Sequence, residues 1–237
     1  MPPPYPLYPI GPDPPTTACT VCRGPARSGY ARCYQCEAHE MLGHGLLADA
    51  VVPISYAVKG TPFADDLWRY KSSSSSQAVT PSGRSLLALL LAFLDDHAQC
   101  IWRRAAMPGP GPDRLAVVPS GVGRPGSHPL LALARPHISL PLWPLAIRPG
   151  RQGRDLDLHR FQAGAGPRGC GVLLLDDTWV SGASAQSAVA ALKLAGAGRV
   201  ALVVLGRHVN PADPRATRFA AGLASGPYDP AACAVHS

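Results

Sequence analysis

One stretch, residues 171–185, constrains the fold of this chain more than any other. It reads GVLLLDDTWVSGASA, that is, five apolar or small residues, two aspartates, a loop of small and hydroxyl residues, and the start of an alanine-rich run. The apolar run predicts a buried strand, and the alanine-rich run over residues 185–195 predicts a helix. A strand, loop and helix in this order are typical of an α/β fold with a mostly parallel sheet.

The acidic pair and the loop stand where such a fold binds ligands. Ligands of open parallel sheets lie beyond the carboxyl ends of the strands, and the N–H groups at a helix N-terminus attract anions. Asp176 and Asp177 suit Mg²⁺ binding, hydrogen bonds from paired hydroxyls, or simple capping and salt bridging. In the loop, Gly182 permits close backbone approach, while Ser181 and Ser184 offer hydroxyls, either of which could also cap the helix. A ribose 5-phosphate fits this pattern.

Four of the seven cysteines form two Cys-x-x-Cys pairs. Cys19 and Cys22 are followed, after ten intervening residues, by Cys33 and Cys36. Each pair places two thiolates on one tight turn, and two such turns close a tetrahedral zinc site in a segment too short for its own core. We predict structural zinc, with reduced surface thiols or a redox pair as the alternative. His39 is a less favoured replacement ligand that we expect to face solvent.

Charge and hydropathy narrow the function classes only partly. The formal charge is +7, and the 22 basic residues are scattered without forming a basic block. Such a surplus suits phosphorylated metabolites and nucleic acid alike. The N-terminus lacks the charged segment of a signal peptide, and the apolar run over residues 86–94 is too short to cross a bilayer. We therefore expect a cytoplasmic protein that does not enter the membrane.

The pattern of apolar residues and breakers divides the chain into four parts. We expect a proline-rich arm, disordered or extended, over residues 1–17, a four-cysteine zinc module over 18–45, an α/β domain over 46–210 and a tail over 211–237. The predicted strands cover residues 51–58, 114–118, 142–147, 171–175 and 200–205. The predicted helices cover residues 65–71, 82–106, 128–135 and 183–195, with a helical turn at 217–223.

Two further segments carry candidate anion contacts. The sequence GVGRPG at residues 121–126 matches a dinucleotide fingerprint in form. However, Pro125 is awkward where the helix should begin, and no strand ending in an acidic residue follows at the usual distance. This loop still suits phosphate, with Arg124 as a charge partner. The arginine-rich segment 148–168 is either a mobile loop over an anionic ligand or a solvated surface loop.

Residues 172–184 resemble the ligand-binding signature of the type I phosphoribosyltransferases. That signature is an apolar strand, two acidic residues, a short spacer and Thr-Gly-x-Thr, and this chain fits it at every class of position. Serine replaces threonine at Ser181 and Ser184, which keeps both hydroxyls. Trp179 is bulkier than the usual spacer residue, and either lines the site or packs under it.

The resemblance extends over residues 19–208 to the competence-protein ComF family. It includes the four-cysteine module, the pair Tyr70 and Lys71 ahead of a long helix, the Val-Pro strand end at residues 118–119, and the acidic motif about sixty residues later. Family members usually continue after the Val-Pro strand with an Arg-Gly-Phe-Asn-Gln type sequence. This chain instead has Arg-Pro-Gly-Ser-His at residues 124–128, a departure on the pyrophosphate and acceptor side.

The resemblance implies a type I phosphoribosyltransferase fold with an N-terminal zinc module. The implied activity is transfer of ribose 5-phosphate from phosphoribosyl pyrophosphate (PRPP) to an acceptor that the sequence does not identify. Asp176 and Asp177 would be catalytic, and Mg²⁺ would enter with PRPP. The implied PRPP-binding residues are Thr178, Ser181, Gly182, Ala183, Ser184, Ser120, Gly121, Arg124 and Lys71.

Two other function classes compete with this interpretation. The first is a non-catalytic DNA-uptake accessory protein that binds single-stranded DNA and keeps a PRPP-like pocket. With aromatic residues at only 6% of the chain, the interleaved aromatics of single-strand grooves are missing, which disfavours it. The second, a dinucleotide-dependent oxidoreductase, rests on the glycine loop alone. The sequence does not indicate an oligomeric state.

Overall fold

The computed structural model describes residues 3–12, 15, 17–71, 80–120, 128–151 and 153–235. The strands are β1 (Ala50–Val58), β2 (Arg114–Val117), β3 (Leu145–Ile147), β4 (Phe161–Ala163), β5 (Gly171–Trp179) and β6 (Arg199–Val209). The central sheet has four parallel strands in the order β1-β6-β5-β2, and a separate antiparallel pair is formed by β3 and β4.

Helices cover both faces of the parallel sheet. They are α1 (Tyr34–Gly43), α2 (Pro62–Arg69), α3 (Pro81–Arg104), α4 (Pro129–Ala134), α5 (Ala183–Leu194) and α6 (Thr217–Ala221). The α/β fold with a parallel sheet flanked by helices, predicted from the sequence, is confirmed. Helix α1 and strand β4 were not predicted.

Strand β5 separates two apolar clusters because its side chains alternate between the faces of the sheet. Leu173 and Leu175 belong to the cluster that includes the buried face of α3. Val172 and Leu174 belong to the other cluster, which includes α5 and three of the cysteines of the N-terminal module. The end of β5 is therefore held between two packed layers, which fixes the position of the residues that follow.

Helix α3 contains the longest apolar run of the chain, residues 86–94. Among the described residues it is the one helix long and apolar enough to cross a membrane by length and composition alone. Leu86, Phe93 and Ile101 are nevertheless fully buried in the cluster on one face of the sheet. The apolar face of α3 therefore packs in the core of the fold.

The free edge of β1 is covered by the described part of the N-terminal arm. The backbone N–H of Tyr56 donates to the carbonyl oxygen of Tyr8 at 2.8 Å, and Leu7 exchanges backbone hydrogen bonds with Gly226 of the tail. Leu7 and Ile10 are buried in the core. Covering an edge strand in this way removes unpaired backbone groups from solvent. Residues 3–12 are therefore an extended segment packed on the sheet.

Candidate functional site

The acidic pair lies within β5 and not after it. The sequence placed the end of the strand at residue 175, but β5 continues to Trp179 because Asp176 and Thr178 remain in register with Val204 and Gly206 of β6. Strand alternation sends the side chains of Asp176 and Asp177 to opposite faces of the sheet. The two carboxylates therefore meet different surroundings.

Asp177 is held by a set of polar side chains. It is 4% exposed, accepts a hydrogen bond from the Tyr70 hydroxyl, and pairs through Oδ1 with the Lys71 Nζ at 2.6 Å. The His128 Nε2 lies 3.7 Å from its Oδ2. The His128 Nδ1 accepts from the backbone N–H of Leu130 at 3.2 Å, so the ring carries its hydrogen on Nε2, facing Asp177. Both oxygens of Asp177 are thus engaged before any ligand binds.

Asp176 is in a less favourable electrostatic position. Burial raises its pKa, and the negative charge of Asp177 raises it further, while Lys71 opposes the rise. Its Oδ1 accepts a hydrogen bond from the backbone N–H of Asp177 at 2.9 Å, and hydrogen bonding by the backbone of Asp177 and Thr178 also opposes the rise in pKa. A carboxylate in this position is stabilised by incoming hydroxyl donors or cations, because these groups favour its charged form.

The turn after β5 is short and requires glycine at one position. Gly182 has φ +83°, and a Cβ built there would lie 2.0 Å from the Trp179 ring. The indole is buried and packs beneath the turn, which is one of the two positions expected for it. Ser181 Oγ accepts from the backbone N–H of Ala183 at 3.3 Å, at the start of α5. This tight turn brings backbone N–H groups and hydroxyls to the carboxyl edge of the sheet.

The segment between β3 and β4 is docked on the first turns of α5. The guanidinium Nη1 of Arg160 donates to Ser184 Oγ at 3.1 Å, and the backbone N–H of Asp157 donates to Ser187 Oγ at 3.0 Å. Arg160 is 5% exposed. The other arginines of segment 148–168 are exposed, namely Arg148, Arg151, Arg154 and Arg168. Most of the arginines in this segment therefore face solvent, and Arg160 is the buried exception.

The remaining predicted site residues are divided between described and undescribed parts of the chain. Ser120 follows the carboxyl end of β2, whose Val117 pairs with Leu175 of β5, so it lies at the same edge of the sheet as the acidic pair. Thr178 is half-buried near the end of β5. Gly121 and Arg124 lie outside the described residues.

The four predicted zinc ligands converge. The sulfur atoms of Cys19, Cys22, Cys33 and Cys36 all lie within 4.8 Å of one another. The Cys22 and Cys33 Sγ atoms are 3.7 Å apart, close to the edge of about 3.8 Å that a tetrahedron with Zn–S bonds of about 2.3 Å requires. The four cysteines can hold a structural zinc ion. His39 is buried and is not part of this cluster, so the expectation that it faces solvent was wrong.

Arg207 connects the four-cysteine segment to the turn after β5. Its Nη1 donates to the carbonyl oxygens of Trp179, Val180 and His208 at 3.1, 3.3 and 2.6 Å. Its Nη2 lies against the backbone of Gly24, where an added Cβ would be only 2.0 Å away. The two regions that the sequence singled out separately are therefore in contact through one buried cation.

Sequence reasoning missed the roles of three of these residues. His128 was noted only as part of a departure from a motif, and Arg160 only as one of several arginines. Arg207 follows an apolar strand and belongs to no motif. Nothing in the sequence distinguishes a buried arginine from an exposed one, because the distinction depends on which segments pack against it.

No family model matches the chain, and no curated protein matches it in sequence. The chain is similar to a solved purine phosphoribosyltransferase from Pyrococcus horikoshii, with 14% identity over 54% of this chain and 89% of that one, at a TM-score of 0.34. It is also similar to a phosphoribosyltransferase from Corynebacterium diphtheriae, with 20% identity over 67% and 88% of the two chains, at a TM-score of 0.35.

A third similar structure is an adenine phosphoribosyltransferase from Leishmania donovani, with 15% identity over 60% of this chain and 59% of that chain, at a TM-score of 0.34. Similarities of this size carry no argument about function. The architecture of this chain is established by its own sheet, helices and four-cysteine cluster.

Proposed function

We propose that this protein is a PRPP-binding phosphoribosyltransferase of the ComF type, which transfers ribose 5-phosphate to an acceptor and releases pyrophosphate. The observation that carries the proposal is the position of Asp177, a buried carboxylate held by Tyr70 and Lys71. It lies near the end of a central parallel strand, ahead of the glycine turn and the start of α5. The acidic pair suits the hydroxyls of a ribose, and the turn and the helix N-terminus after it suit the 5-phosphate of the same ligand.

The acidic pair is assigned to the ribose and to the charge that develops on it. Asp176 accepts hydrogen bonds from the ribose hydroxyls, which favours its ionised form. Asp177, with its position fixed by Tyr70 and Lys71, adds negative charge near C1. The C1–O bond to pyrophosphate breaks, its electron pair leaves with pyrophosphate, and the acceptor forms the new bond to C1. Fixed carboxylates stabilise the oxocarbenium-like transition state of this step.

The 5-phosphate is assigned to the turn and the first residues of α5. The proposed contacts are the backbone N–H groups and hydroxyls of Thr178, Ser181, Gly182, Ala183 and Ser184. A helix of 12 residues, as α5 is, presents unpaired N–H groups and a partial positive charge at this end. Gly182 carries no side chain, which leaves the approach to these groups open.

Pyrophosphate is assigned to the other side of the ribose. Ser120, Gly121 and Arg124 follow the neighbouring strand β2 and are proposed to contact it. Lys71 is one of the PRPP-binding residues that the resemblance implies. Its ion pair with Asp177 supports a role in holding that carboxylate in place.

Magnesium is proposed to enter with PRPP, held by the pyrophosphate and the ribose hydroxyls. The residues fit this arrangement, because the oxygens of Asp177 are already engaged by Tyr70 and Lys71 and do not form part of an independent magnesium cage. When bound, the ion neutralises charge on the departing pyrophosphate.

The proposal is tested by measuring pyrophosphate release from PRPP and Mg²⁺ with a panel of nucleobases and other nitrogen nucleophiles as acceptors. We expect at least one acceptor to give release that falls at least about 100-fold in Asp176→Asn, since the negatively charged acceptor for the ribose hydroxyls is lost. Release that Asp176→Asn does not change would be a contaminant's activity. If no acceptor reacts, the transferase assignment is wrong and a PRPP-binding role replaces it.

A second candidate function, binding of single-stranded DNA, is favoured by one observation on the four-cysteine module. Tyr30 and Tyr34 are 63% and 84% exposed, and the Arg27 guanidinium lies 5.9 Å from the Tyr30 ring centroid. Exposed aromatics beside cations are stacking positions for bases. Binding of a fluorescent oligothymidine that weakens severalfold in Tyr30→Ala/Tyr34→Ala would support this function, and binding unchanged by these substitutions would exclude it for this surface.

The proposed compartment is the cytoplasm. The sulfur atoms of Cys19, Cys22, Cys33 and Cys36 converge on one candidate metal site. A site of this kind needs reduced thiolates, which suits a reducing compartment.

A further inference from the structure

We propose that Arg160 is a phosphate-binding residue at the N-terminus of α5, added to the site by the segment between β3 and β4. This inference rests on the proposed function, since it assigns one more ligand to the 5-phosphate. No motif led to it. It comes from the position and charge balance of a single buried side chain.

The Arg160 guanidinium is a buried cation beside the positive end of a helix. Arg160 is 5% exposed, and its Nη1 donates to the Ser184 hydroxyl in the first turn of α5. The N-terminus of a helix already carries a partial positive charge, so a buried guanidinium there is repelled. An anion between the two removes the repulsion and attracts both groups.

The positive charge of Arg160 has no acidic partner among the described residues. Its Nη2 donates to the backbone carbonyl of Asp155, and the carboxylate of Asp157 pairs instead with Arg151 at 3.4 Å. Its Nε is buried without a hydrogen-bond partner among the described residues. Burying an uncompensated charge is costly, which marks the position as one that an anion completes.

Hydrogen bonds hold the segment that carries Arg160 in place on α5. The segment is held on α5 by the hydrogen bond from the Asp157 N–H to Ser187 Oγ, one helical turn beyond Ser184. The backbone carbonyl of Arg160 accepts from the Arg148 N–H at 2.9 Å, which closes the base of the segment. The guanidinium is therefore in place before any ligand binds, and its planar set of donors suits a tetrahedral oxyanion.

Arg207 shows why burial alone is not the criterion. It too has a buried Nε without a partner among the described residues, yet its Nη1 is used by three carbonyl oxygens and it lies beside the four-cysteine segment. When those cysteines bind zinc as thiolates, the cluster is negative and compensates the charge of Arg207. Arg160 has no such partner within the described chain.

The test compares the affinity of the zinc-loaded full chain for inorganic phosphate and for ribose 5-phosphate, by calorimetry, in wild type, Arg160→Met and Arg160→Lys. We expect Arg160→Met to weaken both ligands by about tenfold or more, and Arg160→Lys to restore part of the loss. Arg154→Met, an exposed position in the same segment, is the matched control and should leave both affinities unchanged.

A second readout separates binding from a purely structural role. Because the ligand-free protein buries an uncompensated charge at this position, Arg160→Met should unfold at the same or a higher temperature than wild type without phosphate, while gaining less from added phosphate. A variant that unfolds earlier and binds phosphate as tightly as wild type would overturn the proposal, and so would equal affinity in all three proteins.

The outcome is distinguishable from failure of the proposed function. Arg160-dependent phosphate binding without any PRPP binding would retain this inference and reject the transferase. PRPP binding that requires Asp177 but is unaffected by Arg160→Met would reject this inference and leave the proposed function standing.

Discussion

The four-cysteine cluster and the turn at the start of α5 differ in how their polar groups are satisfied. The cluster brings four sulfur ligands from the chain itself to within 4.8 Å of one another, which is a complete donor set for one ion. The turn instead gathers hydroxyls, backbone N–H groups and the Arg160 guanidinium, and no acidic side chain among the described residues forms an ion pair with that guanidinium. A closed set of ligands indicates a structural role, and an open set of donors indicates a site for a ligand.

The comparison is tested most strongly at the cluster. We expect wild type to contain about one zinc per chain and Cys19→Ser/Cys22→Ser to lose it, with the largest loss of stability of any change considered, since zinc binding stabilises a segment that has no independent core. Metal analysis and thermal unfolding measure the two effects. Cys170→Ser, a buried cysteine outside the cluster, is the control and should keep its zinc. A folded, metal-free wild type would contradict the account.

The link between the two regions is tested at Arg207. Arg207→Met leaves the carbonyl oxygens of Trp179, Val180 and His208 without their donor and removes a cation beside the cysteines. We expect the free energy of unfolding to fall by about 2–4 kcal/mol, measured by urea denaturation.

The matched control for Arg207 lies on the same strand. Arg199 is half-exposed and pairs with Asp49 at 2.8 Å, so Arg199→Met should cost about 1 kcal/mol or less. Equal losses for the two variants would show that Arg207 does not join the regions as described.

The raised pKa of Asp176 is expected to have a smaller effect, on how the free energy of unfolding varies with pH. A carboxyl whose pKa is higher in the folded than in the unfolded state makes the folded protein bind more protons, so stability falls as pH rises from the ordinary carboxyl pKa of about 3.9 towards the raised value. Asp176→Asn removes this dependence. The free energy of unfolding of Asp176→Asn minus that of wild type should therefore grow with pH across this range and level off above it.

The measurement is urea denaturation of both proteins from pH 4 upwards, as a series of matched pairs. A difference that does not vary with pH would mean that Asp176 has an ordinary pKa in the folded protein. Adding PRPP and Mg²⁺ should reduce the difference near neutral pH, because the ligand favours the ionised carboxylate.

The sequence predicted the elements whose patterns are local. The apolar run before Asp176, the long periodic helix that became α3, and the paired Cys-x-x-Cys turns each carry their signal within a few residues. The end of β5 was placed too early, because polar residues normally indicate the end of a strand. Here the ladder to β6 continues through them to Trp179.

Features that depend on packing between distant segments were not predictable. Arg160 meets Ser184 only because the segment between β3 and β4 folds onto α5, and Arg207 meets Gly24 only because the N-terminal module packs against the end of β6. The resemblance to a known family supplied the ligand class, and the charge balance of these two arginines came from the structure.

The most direct test of the central claim is a calorimetric titration of zinc-loaded protein with PRPP in the presence of Mg²⁺. The account predicts saturable binding at about one site per chain, competition by ribose 5-phosphate, and a loss of at least about tenfold in affinity for the isosteric variant Asp177→Asn. Folded, zinc-loaded wild type that gives no saturable binding, or an Asp177→Asn variant that binds PRPP as tightly as wild type, would contradict it.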